Sequence, residues 1–197
     1  MKKFLPLILT NITTIILLIF VFFLYSFTHA YTTFTKEEPV AVLSFSKIEK
    51  NEYMTTLYTQ DTKTLPRTYK LYGNQFQLDA NFKKFKYYAN FFGFDNKYEL
   101  DRLSGRYKLA ENENSKKHLV YDLRNNGNLI LNNTLLTNIF IDVNYGSSVY
   151  TDIKENVLYK IYKTNTGFLI RKEVISALHP GEPKYHNNIG NFIKNFF

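Results

Sequence analysis

The chain has no cysteine among its 197 residues, and that absence removes several classes of protein at once. Disulfide staples, thiolate nucleophiles and thiolate metal sites are excluded. A lipid-modified cysteine anchor is excluded as well. Histidine is nearly as scarce. His29, His118, His179 and His186 are the only four. No two of them have the i, i+4 spacing of a helical zinc site, so metal binding is not expected and no cofactor is implied. The sequence holds no G-x-S-x-G elbow, no phosphate-cradling glycine loop and no internal repeat of 20–50 residues. A domain of this kind must be held together by its apolar core alone, and the chain is long enough for one such core.

Charge is also missing from one long stretch. Lys2 and Lys3 are followed by Phe4 to Phe27, which carry no charged residue. As a helix this run is about 36 Å long, against a hydrocarbon core of about 30 Å, so it is long enough to span. Thr10, Thr13 and Thr14 can bond back to helix carbonyls, and Pro6 lies in a first turn where no helical hydrogen bond is lost. Asn11 is the one costly side chain; it belongs near headgroups or against a second helix. A cleaved signal peptide is the competing reading, because Thr28-His29-Ala30 resembles a small-x-small cleavage site. The apolar stretch is longer than the roughly 7–15 residues usual in a signal peptide, and bulky Tyr25 and Phe27 crowd the site. The expectation is therefore an uncleaved signal-anchor over residues 1–30. Lys2 and Lys3 precede the span, while Lys36 beyond it is offset at once by Glu37 and Glu38. That bias expects a cytoplasmic N-terminus in an inner membrane and a periplasmic C-terminal domain.

The net charge is +8, and leaving Lys2 and Lys3 aside lowers it by two, to +6. A basic exported domain suits anionic lipid or acidic polymers. Phe, Tyr, Ile, Asn and Lys, all abundant here, share AT-rich codons, so genome composition competes as the source of the lysine excess. Nucleic acid is not an expected partner, since no recognition motif is present.

Beyond a short linker expected at residues 31–39, alternating apolar residues predict strands over 40–48, 52–60, 68–72 and 75–81, with Gly73-Asn74 as a hairpin turn. Phe82, Phe85, Tyr88, Ala89 and Phe92 predict a short helix or irregular turn over 82–94. Further strands are expected over 98–108, with a bend or bulge near Gly105, and over 118–123. Glu111–Lys117 reads as a charged loop, Asn125–Asn133 as a turn region, and Leu135–Val143 as a helix or a buried strand. Tyr145-Gly146-Ser147-Ser148 reads as a turn into a strand at 149–153. A second hairpin is expected from 157–162 and 167–172. Ile189, Phe192, Ile193, Phe196 and Phe197 predict one apolar face of a short tail helix within 179–197, docked on the domain or lying on a membrane. The expected fold is mainly β: a β-rich sandwich or half-barrel over 40–178 with one or two short helices, preceded by one transmembrane helix.

No catalytic residue is assigned. Ser104 has no base close in sequence. Asp79, Asp95, Glu99, Asp101 and Asp142 supply carboxylates, and an enzymatic reading requires at least two of Asp79, Asp95 and Asp101 to converge beside Arg102. Arg102 and Arg106 flank Ser104-Gly105 and suit bidentate anion binding or structural ion pairs. Asn81 to Tyr88 interleaves aromatics with Lys83, Lys84 and Lys86, a pattern suited to a membrane interface or to an aromatic core stripe with solvated lysines. The candidate ligand or partner surface is Asp79, Lys83, Lys84, Lys86, Tyr88, Asp95, Arg102, Arg106 and Tyr145.

Three segments, Gly73–Ala80, Ala89–Asp95 and Tyr98–Tyr107, resemble an uncharacterised family of Gram-negative membrane-anchored proteins often named "cation/multidrug efflux pump". Asp142–Tyr150 and Thr166–Arg171 are similar to the C-terminal half of that family. The resemblance covers roughly Pro39 to Arg171. Where the family has tryptophans, this chain has Phe85 and Tyr88. The resemblance implies no established activity, and one span implies at most an accessory subunit, or one chain of an oligomer, since transport needs a polar pathway built from several helices. The function expected first is a non-catalytic, membrane-anchored periplasmic binding or accessory protein, in contact with the inner membrane and with an envelope complex or anionic lipid. The alternatives are an apolar-ligand (lipid) carrier with an enclosed cavity and, behind it, a hydrolytic enzyme.

Overall fold

The computed structural model describes residues 4–61, 65–91, 94–124, 139–175, 193 and 196–197. The chain begins with a single long helix, α1, Phe4–Thr35. Within it, Thr10–His29 is 20 residues long and apolar enough to cross a membrane, a property that spans share with N-terminal signal sequences. Its large side chains face outward; Phe22 is 70% exposed. The threonines bond back as expected, Thr13 and Thr14 donating to the Thr10 carbonyl at 2.9 and 2.8 Å. Of residues 31–39, expected as a linker, only Lys36 and Glu37 lie between α1 and the first strand.

Nine strands follow among the described residues: β1 Glu38–Glu49, β2 Glu52–Thr59, β3 Arg67–Tyr72, β4 Gln75–Phe85, β5 Lys97–Arg106, β6 Val120–Asp122, β7 Ile141–Asp152, β8 Val157–Lys163 and β9 Phe168–Val174. Two short helices are inserted, α2 Tyr87–Phe91 and α3 Ala110–Ser115. The strands form two antiparallel sheets, ordered β3-β2-β1-β8-β9 and β6-β5-β4-β7. The protein is therefore mainly β, as the alternation predicts. The sheets face each other across one core that includes Leu43, Phe45, Tyr159 and Ile161 from the first and Phe76, Leu78 and Leu103 from the second. At its centre Phe45, Phe76 and Tyr159 meet with ring centroids 5.0–5.3 Å apart.

Side chains, not ladders, bridge both open edges of the sandwich. Tyr121 of β6 donates to the Lys70 carbonyl of β3 at 2.9 Å. Across the opposite edge the Phe168 amide of β9 donates to Ser147 Oγ of β7 at 3.1 Å. At the corner where β3 turns into β4, the backbones press together. A Cβ on Gly105 would lie 2.0 Å from the Tyr72 carbonyl oxygen, and one on Gly73 2.3 Å from that of Arg106. Only glycine fits at either position. The reason for Gly105 is this close crossing; the bulge in β5 lies at Asp101, where the pairing of Asp79 with Arg102 is followed by that of Ala80 with Leu100. The extra residue keeps Leu100 on the inner face together with Leu103.

Three sequence expectations are corrected. β4 continues through Phe85 where a helix was expected from Phe82. Phe82 and Phe85 are both buried, Phe82 against Tyr145 and Phe168 and Phe85 against Phe94, and the register shift beside Phe85 is an extra residue, Asp142, in β7. Tyr145–Ser148 is the middle of β7, paired in unbroken register with Phe82–Asp79, not a turn. The charged segment at 111–117 overlaps α3, whose Glu113 carboxylate accepts the Tyr107 amide at 2.5 Å. The expected turn at 125–133, and His179 and His186, lie outside the described residues. Of the expected tail helix, Ile193 is buried and Phe196 packs edge-on against Tyr162 at 5.3 Å.

Candidate functional site

The nine candidate residues separate into three places. The first is the outer face of the four-stranded sheet. Strand parity puts Phe76, Leu78 and Ala80 of β4 inward, and so sends Gln77 and Asp79 outward. The neighbouring strands set Arg102 opposite Asp79 on one side and Ser148 on the other. Ser148 Oγ donates to Asp79 at 2.6 Å, Gln77 donates at 2.9 Å, and Arg102 lies 3.2 Å away. Arg102 also reaches Asp101 at 3.4 Å, and Arg124 reaches Asp101 at 3.6 Å. Arg124 grips Asp122 with two parallel hydrogen bonds, and these bring the Asp122 carboxyl down to about 2. Further along the face the Arg106 guanidinium lies over the Tyr150 ring, 4.4 Å from its centre.

This face is a chain of mutually satisfied charges. Donors already surround the Asp79 carboxylate on three sides, which suits a fixed acceptor better than a proton shuttle. Asp95 is not among them. Ser104 stands opposite Gln77 and Val120, neither of which is a base. Asp79 and Asp101 do meet through Arg102, but on an open sheet face and as partners of a cation. Among the described residues no three metal-ligating side chains form a cluster.

The second place is the end of the sandwich that α1 enters. Asp95 lies here. Lys163 ends the inward-facing series Val157, Tyr159, Ile161 and is itself only 7% exposed in its side chain. Its ammonium contacts Glu38 at 2.6 Å, Asp95 at 3.3 Å and the Asn96 carbonyl at 2.8 Å. Lys36 pairs with the same Glu38 and lies 3.8 Å from Asp95. Burial alone would raise the Glu38 carboxyl; hydrogen bonds from Lys163 and Lys36 outweigh it and bring it down to about 2. Asn96 completes the knot, accepting from the Phe85 amide at 3.0 Å and donating to the Asn165 side chain at 2.6 Å. Glu37 is held by Arg171 through contacts of 3.0 and 2.6 Å. The three residues after α1 are thus all ion-paired to the sandwich.

Beside this knot sit α2 and the aromatic-lysine segment. Lys84 lies over the Tyr87 ring and Lys86 over that of Tyr88. The Tyr88 hydroxyl donates to the Ile139 carbonyl. Phe94 stacks on Phe140 at 5.2 Å. Lys83 faces out from the end of β4, level with Asn144 and Lys97.

Tyr145 belongs to a third place, half-buried beside Phe82. It pairs with Phe82 across the ladder and stacks on that ring at 5.4 Å, and burial pushes its hydroxyl up. Nearby Tyr98 is pushed by burial to about 12. Asp79 with Arg102, Asp95, and Tyr145 therefore share neither a pocket nor a network. Sequence reasoning did not single out Lys163, Glu38 or Asn96. The available signal was a lysine at the inward parity of an otherwise apolar strand. An enclosed cavity for an apolar ligand would need room between the sheets, and at the level of Phe45, Phe76 and Tyr159 three touching rings occupy it.

No family model, no curated protein and no solved structure matches the chain.

Proposed function

We propose that this chain is a single-pass membrane protein that presents a β-sandwich outside the cytoplasm as a non-catalytic binding module, an accessory component of an envelope assembly. The observation that carries the reading is the join between α1 and the sandwich. An apolar helix with outward-facing side chains runs into β1 with only Lys36 and Glu37 between them, and both are ion-paired to the domain. Such a join transmits the position of the membrane to the domain. The self-neutralising outer face around Asp79 and Arg102 supports binding over catalysis, since its charges are fixed by one another. That face, with Val120 and Tyr150 more than half exposed, is the surface offered to a protein partner.

The absence of cysteine makes the test direct. A single cysteine at Val120 or Tyr150 in the full chain is exposed to a membrane-impermeant maleimide in intact cells with a permeabilised outer envelope. Labelling there, with the chain remaining in the membrane fraction after alkaline carbonate extraction, is the expected result. Labelling only after the inner membrane is opened would reverse the orientation. Release of the chain by carbonate would remove the anchor.

A further inference from the structure

We infer that the α2 end of the sandwich docks on the anionic headgroups of the bilayer that α1 crosses; the inference rests on α1 being a membrane anchor. The first argument is height. Thr10–His29 covers about 30 Å, the thickness of the hydrocarbon core, and the helix then continues through Thr35 for about 9 Å more. The headgroup layer on one side is about 5–8 Å thick, so the domain starts directly above it. α2 contacts α1. It therefore hangs beside the helix at the level of the headgroups. The ion pairs of Lys36, Glu37 and Glu38 with Asp95, Arg171 and Lys163 hold the sandwich in that pose.

The second argument is the chemistry of the surface. The segment has two sides. Phe85 and Ala89 are its core side, 4% and 0% exposed, so the core is served without the remaining rings. Tyr87, Tyr88 and Phe94 are 60%, 42% and 43% exposed on the other side. Rings left at the water interface next to a span are what a headgroup layer accommodates. Lys84 and Lys86 lie over two of those rings, and Lys97 is exposed nearby. Among the described residues no carboxylate comes within ion-pair distance of Lys84, Lys86 or Lys97, in contrast to the paired cations on the outer sheet face. The exposed acid at this end is Asp142, and the balance remains positive. A neutral aromatic patch would suit any apolar partner; rings capped by uncompensated lysines beside a span favour anionic phospholipid.

The chain has no tryptophan, so a single introduced one reports its own surroundings. Full-length Phe23→Trp, Tyr87→Trp and Tyr150→Trp are placed separately in nanodiscs containing brominated lipid, with either no or 30% phosphatidylglycerol. Phe23→Trp should be quenched in both. Tyr87→Trp should be quenched at least twofold more in the anionic discs than in the neutral ones, and Tyr150→Trp in neither. Removing Lys84 or Lys86 as alanine should lower the docking constant about fivefold each, roughly thirtyfold together. Phe94→Trp serves as a second reporter should Tyr87→Trp fail to fold. Quenching at Tyr87→Trp no greater than at Tyr150→Trp, or indifferent to lipid charge and to both lysines, overturns the docking while leaving the anchor standing. Absent quenching at Phe23→Trp overturns the anchor and the docking with it. Protection from iodide in native membranes but not in nanodiscs assigns this end to a protein partner and also overturns the inference.

Discussion

Replacing Lys163 by methionine tests the knot that joins helix to sandwich. The substitution keeps most of the buried stem and deletes the charge. Its ammonium has three partners: Glu38 at 2.6 Å, Asp95 at 3.3 Å and the Asn96 carbonyl at 2.8 Å. Breaking a fully buried ion pair from one side costs about 3–5 kcal/mol, because the other charge stays behind uncompensated. Here the carboxylates left behind are 28% and 36% exposed and keep Lys36, so solvent recovers part of that loss. A cost of about 2–3 kcal/mol remains. For a domain of this size that is a fall in Tm of about 4–12 °C, followed by circular dichroism on the full chain in detergent. The pH dependence is a second readout. Glu38 has its carboxyl lowered from 4.5 to about 2 in the folded state. A depressed carboxyl contributes stability that is fully present above pH 4.5 and is lost as the pH falls towards 2. After allowance for solvent screening this contribution is about 1–2 kcal/mol. Lys163→Met should flatten that acid limb as well as lower the plateau. Lys163→Met combined with Glu38→Gln and Asp95→Asn should recover part of the loss. A variant as stable as the parent at neutral pH, with an unchanged acid limb, would refute the assignment of Lys163 as the clamp.

Three further outcomes follow from the core and its corner. Phe76→Ala removes one ring of the central trio, fully buried, and should cost about 3–5 kcal/mol in urea unfolding, with an unchanged slope. Gly105→Ala forces a Cβ to 2.0 Å from a backbone oxygen and should cost at least about 2 kcal/mol, whereas Gly146→Ala meets nothing within 4 Å and should stay within about 0.5 kcal/mol of the parent. Thr55 is fully buried and its hydroxyl has no partner among the described residues; Thr55→Val should raise stability by about 1 kcal/mol, and a loss would mean that the hydroxyl is bonded after all.

The mainly β architecture was legible because alternation is a local signal. Val157, Tyr159 and Ile161 mark one face of a strand wherever that strand ends up. What the sequence hid was register. Phe82 and Phe85 have helical spacing, yet both lie on one strand paired with β7, Phe82 packed against Tyr145 and Phe168 and Phe85 against Phe94. Leu100 and Leu103 break alternation through the bulge at Asp101. Gly146-Ser147-Ser148 looks like a turn by composition, yet it pairs with Asn81-Ala80-Asp79 in mid-sheet. Bulges and pairing partners are long-range facts, and no window of ten residues contains them.

The same limit explains the candidate site. Asp79 and Arg102 were singled out together and do meet, because the ladder sets them opposite one another. Asp95 and Tyr145 were grouped with them, but Asp95 lies in the loop beyond α2 and Tyr145, in the same sheet, pairs and stacks with Phe82 instead. Asp95 finds Lys163 instead, 68 residues away. Its position there gives the lysine a role that neither residue signals alone. Lys163 is a charge at an inward strand position, which is costly unless it is paired. The partners that compensate it come from the first residues after α1 and from the loop beyond α2. The interaction that satisfies a buried cation therefore also fixes the sandwich to its helix. Rigidity at this joint is what distinguishes a domain held against a membrane surface from one tethered loosely above it. Loosening the joint should therefore weaken any contact between the α2 end and lipid, even though Lys163 itself touches none. In Lys163→Met, quenching at Tyr87→Trp should decline while that at Phe23→Trp is kept. Equal quenching of Tyr87→Trp in the two backgrounds would show that the aromatic-lysine end finds the bilayer without help from the joint.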